Sequence, residues 1–283
     1  MQPLISIIIP TYNRCTYLGE TLDSVLDQTY TNWECLVIDD DSMDYTPELV
    51  DFYTSKDTRI HLYKRPIDKN KGAAVCRNYG LEKATGELIQ FLDSDDILHS
   101  RKLDFQIGKL KEIKHYTIFT CKWGFFSDSK NLMSRFKYKQ KVYRNFKKPY
   151  NLLSYYGKYE EFMPLHCFLI PKNLIDDAGV WNEQLSNNDD AEFISRIVLV
   201  AKRIRFIPEA IVFYRIGNSD KLSEFRNRIQ AKSAIKSLEL IQKTLKYGYP
   251  RTAKVYINSL ENTIRDRVNR SFPELADFKI NKS

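Results

Sequence analysis

Aliphatic residues come early and in short, dense runs. Leu4 to Ile9 reads Leu-Ile-Ser-Ile-Ile-Ile and stops at Pro10, the pattern of a strand buried on both faces. A helix is predicted over Thr16 to Gln28, where Leu18, Leu22, Val25 and Leu26 recur on one face. Trp33 to Ile38 predicts a second strand, Pro47 to Tyr53 a helix, and Arg59 to Tyr63 a third strand. Gly72 to Ala84 predicts a helix with the small residues Ala73, Ala74, Cys76 and Gly80 towards a sheet, and Gly86 to Leu92 a fourth strand. Four alternations of strand and helix predict an α/β fold with a doubly wound, Rossmann-like, mostly parallel sheet and helices on both faces.

Beyond Arg101 to Lys114, which reads as a helix, the alternation lapses. Tyr116 to Phe126 is strand-like, and irregular structure is expected from there to Tyr150. Cys167 to Ile170 predicts a short strand stopped by Pro171, Asn173 to Ala178 a helical turn, and Asp190 to Ala201 an amphipathic helix carrying Phe193, Ile194, Ile197 and Val198. Arg205 to Ile207 and Ile211 to Tyr214 predict two more strands. After Gly217, Leu222, Phe225, Ile229, Leu238, Ile241 and Leu245 fall near a helical period; Gly248-Tyr249-Pro250 interrupts, and Ala253, Tyr256, Leu260, Ile264 and Val268 form a second stripe. A C-terminal helical hairpin appended to the main domain is the expectation.

Acidic residues gather where these elements end. Asp39-Asp40-Asp41 terminates the second strand, Asp93-Ser94-Asp95-Asp96 the fourth, and Asn187-Asn188-Asp189-Asp190 opens a later helix. In a parallel sheet the first two clusters share the carboxyl edge, where open α/β sheets bind ligands. Carboxylates this close raise one another's pKa, so keeping them ionised favours a cation, and hard oxygen donors suit Mg²⁺ or Mn²⁺. Asp39 suits the N–H of a base or a ribose hydroxyl, and with a metal-held diphosphate nearby the set describes a nucleotide-diphosphate site. Asp190 suits the base that takes a proton from an attacking alcohol. Each cluster also has a structural alternative: Asp39 to Asp41 a turn before Pro47, Asp96 or Ser100 a helix N-cap, and Asp189 the cap of the helix from Asp190.

Composition narrows the partners. The 283 residues allow one large domain or two small ones. No run approaches the roughly 20 apolar residues of a membrane span, and no secretory leader follows Met1, so a cytoplasmic location is expected. The five cysteines (Cys15, Cys35, Cys76, Cys121, Cys167) are scattered and read as free thiols. Net charge is +8 and uneven. Lys130 to Tyr150 holds eight cations and no acid, interleaved with Phe136, Tyr138, Tyr143, Phe146 and Tyr150, and from Asp220 onward fourteen cations face seven acids. Such patches suit an anionic partner, whether a phosphate-rich substrate, nucleic acid or an acidic lipid surface; a solvated basic face is the alternative.

Four segments in order carry a resemblance: Ser6-Ile7-Ile8-Ile9-Pro10-Thr11-Tyr12-Asn13-Arg14, Val37-Ile38-Asp39-Asp40-Asp41-Ser42, Arg77-Asn78-Tyr79-Gly80 and Phe91-Leu92-Asp93-Ser94-Asp95-Asp96. With Asp189-Asp190-Ala191-Glu192-Phe193, Arg196 and Tyr214-Arg215 further on, the chain resembles family 2 glycosyltransferases of the GT-A fold across residues 4 to 215. The resemblance implies that Pro10, Thr11, Tyr12 and Asn13 line a nucleotide pocket, that Asp39 bonds the base, and that Arg77 and Ser94 lie by the donor. It implies further that Asp93 and Asp95 form a DXD pair, with Asp95 the principal ligand of Mn²⁺ or Mg²⁺, and that Asp190 deprotonates the acceptor for inverting transfer. Two departures stand out. Asp41 replaces the glycine common in relatives, and Ile216-Gly217-Asn218 follows Tyr214-Arg215 where relatives often carry a histidine; His166 reads as a packed residue rather than its substitute.

The resulting expectation is a metal-dependent enzyme moving a sugar from a nucleotide-diphosphate donor, a UDP-sugar, to a saccharide or lipid-linked saccharide in bacterial surface polysaccharide synthesis. Residues 1–125 would bind the donor, 126–217 the acceptor, and 218–283 form the hairpin. Trp181 is expected either to stack on an acceptor sugar or to pack in the core, and Asp189 to lie at the acceptor site. The basic segments suggest peripheral contact with the inner face of the cell membrane, the C-terminal helices a dimer contact, and nucleic acid is not an expected partner. A sugar-phosphate nucleotidyltransferase and, from another class, a basic nucleic-acid-binding protein are the rival readings.

Overall fold

The computed structural model describes residues 2–109, 116–127, 139–216, 225–246 and 248–278, apart from the side chains of residues 250, 252 and 253. In chain order the first elements are β1 (Ile5–Thr11), α1 (Leu18–Leu26), β2 (Trp33–Asp39), α2 (Thr46–Lys56), β3 (Ile60–Lys64), α3 (Ala73–Lys83) and β4 (Leu88–Phe91). There follow β5 (Ile97–Leu98), α4 (Lys102–Ile107), β6 (Thr117–Phe126), α5 (Asn151–Tyr159), β7 (Ile170–Pro171), α6 (Lys172–Ala178), α7 (Asp189–Val200), β8 (Arg203–Arg215), α8 (Arg228–Lys246) and α9 (Pro250–Ser271).

β1 is buried at every position because strands flank it on both sides. The sheet order is β3-β2-β1-β4-β7, with β1 to β4 parallel and only β7 antiparallel. The expected α/β architecture is therefore present. The chain steps outward from β1 to β3 and then crosses back to β4 on the other side of β1, which makes the carboxyl ends of β1 and β4 the switch point where such sheets take ligands. Right-handed crossovers place α1 and α3 on opposite faces. Gly80 lets α3 approach β1: a Cβ there would lie 2.4 Å from Ile8 Cγ2.

A second sheet, β5-β8-β6, abuts the first through a bridge between Phe119 and Leu169. The two strands expected at 205–207 and 211–214 are one strand. Pairing with β6 steps from Cys121–Ile207 to Lys122–Ile211, so Pro208 to Ala210 bulge out where proline has no N–H to donate. The strand expected over Cys167 to Ile170 is instead a 3₁₀ turn at Leu165–Cys167 followed by β7. Asp96 leads into β5, not a helix, and α4 begins after Arg101, so neither Asp96 nor Ser100 is an N-cap. Part of the basic segment, 128–138, lies outside the described residues.

α8 and α9 form the expected hairpin, with a difference in its stripe. Ala231, Ala234, Leu238, Ile241 and Leu245 are buried, whereas Ile229 is 72% exposed. Leu222 and the Ala253 side chain lie outside the described residues. All five cysteines are free and four are buried. Among the described residues no helix is long and apolar enough to cross a membrane.

α9 packs closely on α5 because Gly157 has no side chain. A Cβ there would stand 2.5 Å from the Val255 carbonyl oxygen and 2.8 Å from Tyr256 Cα, backbone that no rotamer change relieves. Gly157→Ala should therefore lower unfolding free energy by about 1–3 kcal/mol in urea titrations, despite alanine's better helix propensity.

Candidate active site

The ends of β1 and β2 are stitched into one surface. Asp39 Oδ2 accepts the Ser42 N–H at 3.0 Å, the Asn13 N–H donates to Ser42 Oγ at 2.9 Å, and Asn13 Oδ1 accepts the Met43 N–H at 2.8 Å. The three neighbouring acids behave differently. Asp40 is buried, binds Arg65 and accepts the Gly72 N–H at 2.9 Å, anchoring the loop before α3; burial pushes its carboxyl up, with Arg65 opposing. Asp41 is exposed, adopts φ 66° and pairs with Lys71 at 3.1 Å. Asp39 is 2% exposed, and its Oδ1 is buried with no hydrogen-bond partner; Thr11 Oγ1, at the position paired with it on β1, is likewise unpartnered. Buried polar atoms are ordinarily partnered, so this pair of positions at the carboxyl edge stands out. Pro10 is buried, and Tyr12 is 46% exposed. The turn before α2 is capped by neither Asp39 nor Asp41: Asp44 Oδ1 accepts the Thr46 N–H.

Arg77 joins this edge to the far side of the cleft. Buried on α3 at 6% exposure, it donates Nη2 to Asp93 Oδ1 at 2.8 Å and Nη1 to Asp189 Oδ2 at 2.9 Å, with its guanidinium carbon 4.5 Å from the centre of the Trp181 ring. Burial opposes its charge, but Asp93 and Asp189 outweigh that and raise its pKa. Asn78 beside it brackets the Trp181 backbone, accepting its N–H and donating to its carbonyl, both at 2.9 Å. The Arg77-Asn78-Tyr79-Gly80 motif thus welds the first half of the chain to the second.

The acids after β4 also divide. Asp93 and Asp95 are partly exposed, Ser94 and Asp96 buried. Asp96 Oδ2 lies 3.0 Å from His166 Nδ1, and Oδ1 accepts the Arg215 N–H at 2.8 Å. Burial pushes the Asp96 carboxyl up, with His166 opposing. Arg215 also donates Nε to the Asp95 carbonyl at 2.8 Å and Nη2 to Glu20. His166 is packed, stacked on Tyr214.

Asp190 is the second residue of α7, next to Asp189. Enclosure by surrounding protein, then the like charge of Asp189, push its carboxyl up to about 6, against the Ala191 N–H and Arg77. Asp190 is nonetheless exposed to water at the surface. The cap of α7 is Asn188, not Asp189, whose carboxylate is taken by Arg77. Trp181 is not an acceptor platform: it is 2% exposed, stacked on Phe193 at 4.1 Å and edge-on to Phe91, a packing residue beneath Arg77. Arg65, Glu20 and Asp44 were not legible as site supports, since isolated charges carry no spacing signal.

The family described as Glycosyl transferase family 2 matches residues 6–173. A putative teichuronic acid biosynthesis glycosyltransferase, TuaG, from Bacillus subtilis (strain 168) is 42% identical over 111 residues, 39% of this chain and 43% of that protein. The Escherichia coli protein WfgD, a UDP-Glc:alpha-D-GlcNAc-diphosphoundecaprenol beta-1,3-glucosyltransferase, is 46% identical over 108 residues, 38% of this chain and 41% of its own. The matched part thus spans less than half the length of either relative. Among solved structures, S. aureus TarS 1–349 in complex with UDP-GlcNAc shares the fold, with a TM-score of 0.69 and 20% identity over 95% of this chain and 72% of that one. Asp189 and Asp190 lie beyond the residues that the family matches.

Arg77→Met should leave Asp93 and Asp189 facing each other without the cation between them. We expect a loss of about 3 kcal/mol in unfolding free energy by urea titration, with Arg77→Lys intermediate because an ammonium keeps the charge but not the fork.

Proposed function

Because the chain belongs to glycosyl transferase family 2, we propose that it moves a sugar from a UDP-sugar to a hydroxyl of a saccharide or lipid-linked saccharide, with inversion. The observation that carries this reading is the Arg77 bridge, which sets Asp93 and the Asp189–Asp190 pair on either side of one cleft. The UDP-Glc donor of WfgD and the UDP-GlcNAc of the TarS complex support a uridine donor, and the diphosphoundecaprenol acceptor of WfgD and the teichuronic acid biosynthesis of TuaG support a role in surface polysaccharide synthesis. Family membership favours transfer over the nucleotidyltransferase alternative.

Asp93 and Asp95 would hold Mn²⁺ or Mg²⁺. Their hard oxygens fit such ions. A bound cation of this kind neutralises the leaving diphosphate. The unpartnered Asp39 Oδ1 would accept the imide N–H of uracil, Tyr12 would lie against the ring, and Ser94 and Arg77 would border the diphosphate and sugar. Asp190 would take the acceptor's proton as the new bond to the anomeric carbon forms and the bond to the diphosphate oxygen breaks. A carboxyl near 6 is ionised at neutral pH yet more basic than an ordinary aspartate. The acceptor would lie against residues of 126–217, the donor against 1–125. We read the basic segments as the contact with an acidic membrane surface.

Asp95→Asn should abolish Mn²⁺-dependent turnover in a panel of UDP-glucose, UDP-galactose and their N-acetyl forms. Asp190→Asn should keep UDP affinity within about twofold, by calorimetry, and lose transfer; wild-type rates in that variant would remove Asp190 as the base. Asp39→Ala should weaken UDP binding roughly 10-fold or more, the effect of a lost hydrogen bond to a charged acceptor. The pH dependence has a definite sign. Asp190 acts when ionised and its carboxyl is raised to about 6, so kcat/KM should fall as pH drops through that value, not through the usual aspartate range.

A further inference from the structure

α8 lies beyond the residues that the family matches. Its buried stripe is mostly apolar but carries Gln230 near its start and two hydroxyls one turn apart, Ser233 at 7% exposure and Ser237 at 0%. Both reach the turn in front of the base. Ser233 Oγ accepts the Ser186 N–H at 2.8 Å and the Asn187 N–H at 3.1 Å, and donates to the Asn187 carbonyl at 3.2 Å. Ser237 Oγ accepts from Asn188 Nδ2 at 2.5 Å and donates to the Ala234 carbonyl at 3.1 Å.

Asn188 is the residue on which the geometry turns. It holds φ 56°, a left-handed conformation that asparagine tolerates, and it is the N-cap of α7. An N-cap side chain ordinarily accepts a backbone N–H from its own helix. Here it makes no such bond and its amide goes to Ser237 instead. The first turn of α7, with Asp189 and Asp190, is therefore oriented from outside, by α8. Such restraint matters because Asp190 meets the like charge of Asp189 next to it and of Asp93 across the cleft, and both favour its swinging outward into water.

We propose that Ser233 and Ser237 are positioning residues for the catalytic base, which makes the C-terminal hairpin part of the catalytic apparatus. The inference rests on the transferase reading above, in which Asp190 takes the acceptor's proton. A displacement of about 1 Å at a reacting group costs on the order of 100-fold in rate.

The test compares wild type, Ser233→Ala and Ser237→Ala in full-length protein. The readouts are Mn²⁺-dependent hydrolysis of UDP-GlcNAc and UDP-glucose, UDP affinity by calorimetry, and hydrogen exchange of the peptide covering 184–191. Both variants should lose roughly 10- to 100-fold in kcat with KM and UDP affinity within about twofold of wild type, and the 184–191 amides should exchange faster while those of 88–96 do not. Should Ser233→Ala not fold, Ser237→Ala decides alone, since its partner is a single side-chain amide. The clamp is overturned by wild-type kcat or wild-type exchange in the folded variants, by equal losses of kcat and UDP affinity, or by failure of both to fold. Wild-type protein that turns over no UDP-sugar defeats the transferase reading, and this inference with it; retained turnover in both variants defeats the clamp alone.

Discussion

A single buried cation holds the cleft together. Asp93 after β4 and the Asp189–Asp190 pair at the start of α7 are carboxylates from opposite halves of the chain, and like charges in one cleft drive the halves apart. Arg77 lies between them with one nitrogen on each side and its flat face on Trp181. Only a planar fork bonds two carboxylates in divergent directions while stacking on an indole, so the position calls for arginine and not lysine. Much of the nearby structure serves that placement. Gly80 brings α3 against β1, Asn78 fixes the Trp181 backbone, and Phe193 on α7 backs the indole that backs the guanidinium.

The four positions from Asp93 to Asp96 then cease to look overcrowded. Asp93 faces Arg77, while Asp96 turns into the protein towards His166 and the Arg215 amide. Arg215 holds the carbonyl of Asp95, so the loop is gripped through its backbone at that position. The histidine that relatives often carry after the closing strand is replaced in this chain by Ile216-Gly217-Asn218, yet a histidine from elsewhere in the chain, His166, stacks on Tyr214 beneath the loop. Its burial against Asp96 makes it a support of that loop.

β1, β2 and β4 were legible because they are buried on both faces, so largely apolar runs mark them without reference to partners. Where a partner decides, the reading failed. β5 is two residues that are a strand only because β8 lies alongside, and Pro208 breaks the apolar pattern of β8 without ending the strand, since the bulge absorbs it. α5 escaped notice: its period is interrupted by Gly157, a residue explained only by α9 in contact. The same rule sorts the site. Strand-end acids announced themselves by position, but which of them binds Arg77, Arg65 or His166 depends on residues tens of positions away. Trp181 looked equally suited to a sugar or a core, and Arg77 above it decided for the core.

Asp41 shows how a departure from the family pattern is accommodated. Its φ of 66° is the left-handed conformation that explains why relatives often carry glycine there. Aspartate tolerates it better than most side chains, so the turn after β2 survives the exchange. What the exchange adds is a carboxylate that draws Lys71 to 3.1 Å, and the same ammonium lies 5.1 Å from the centre of the Tyr12 ring. The exposed Tyr12 ring therefore borders an ion pair. Both partners are largely exposed, and exposed pairs in water hold their geometry weakly, so Lys71 is not fixed on Asp41. The exchange is absorbed because the bonds that shape this turn, Ser42 N–H to Asp39 and Met43 N–H to Asn13, do not involve the Asp41 side chain.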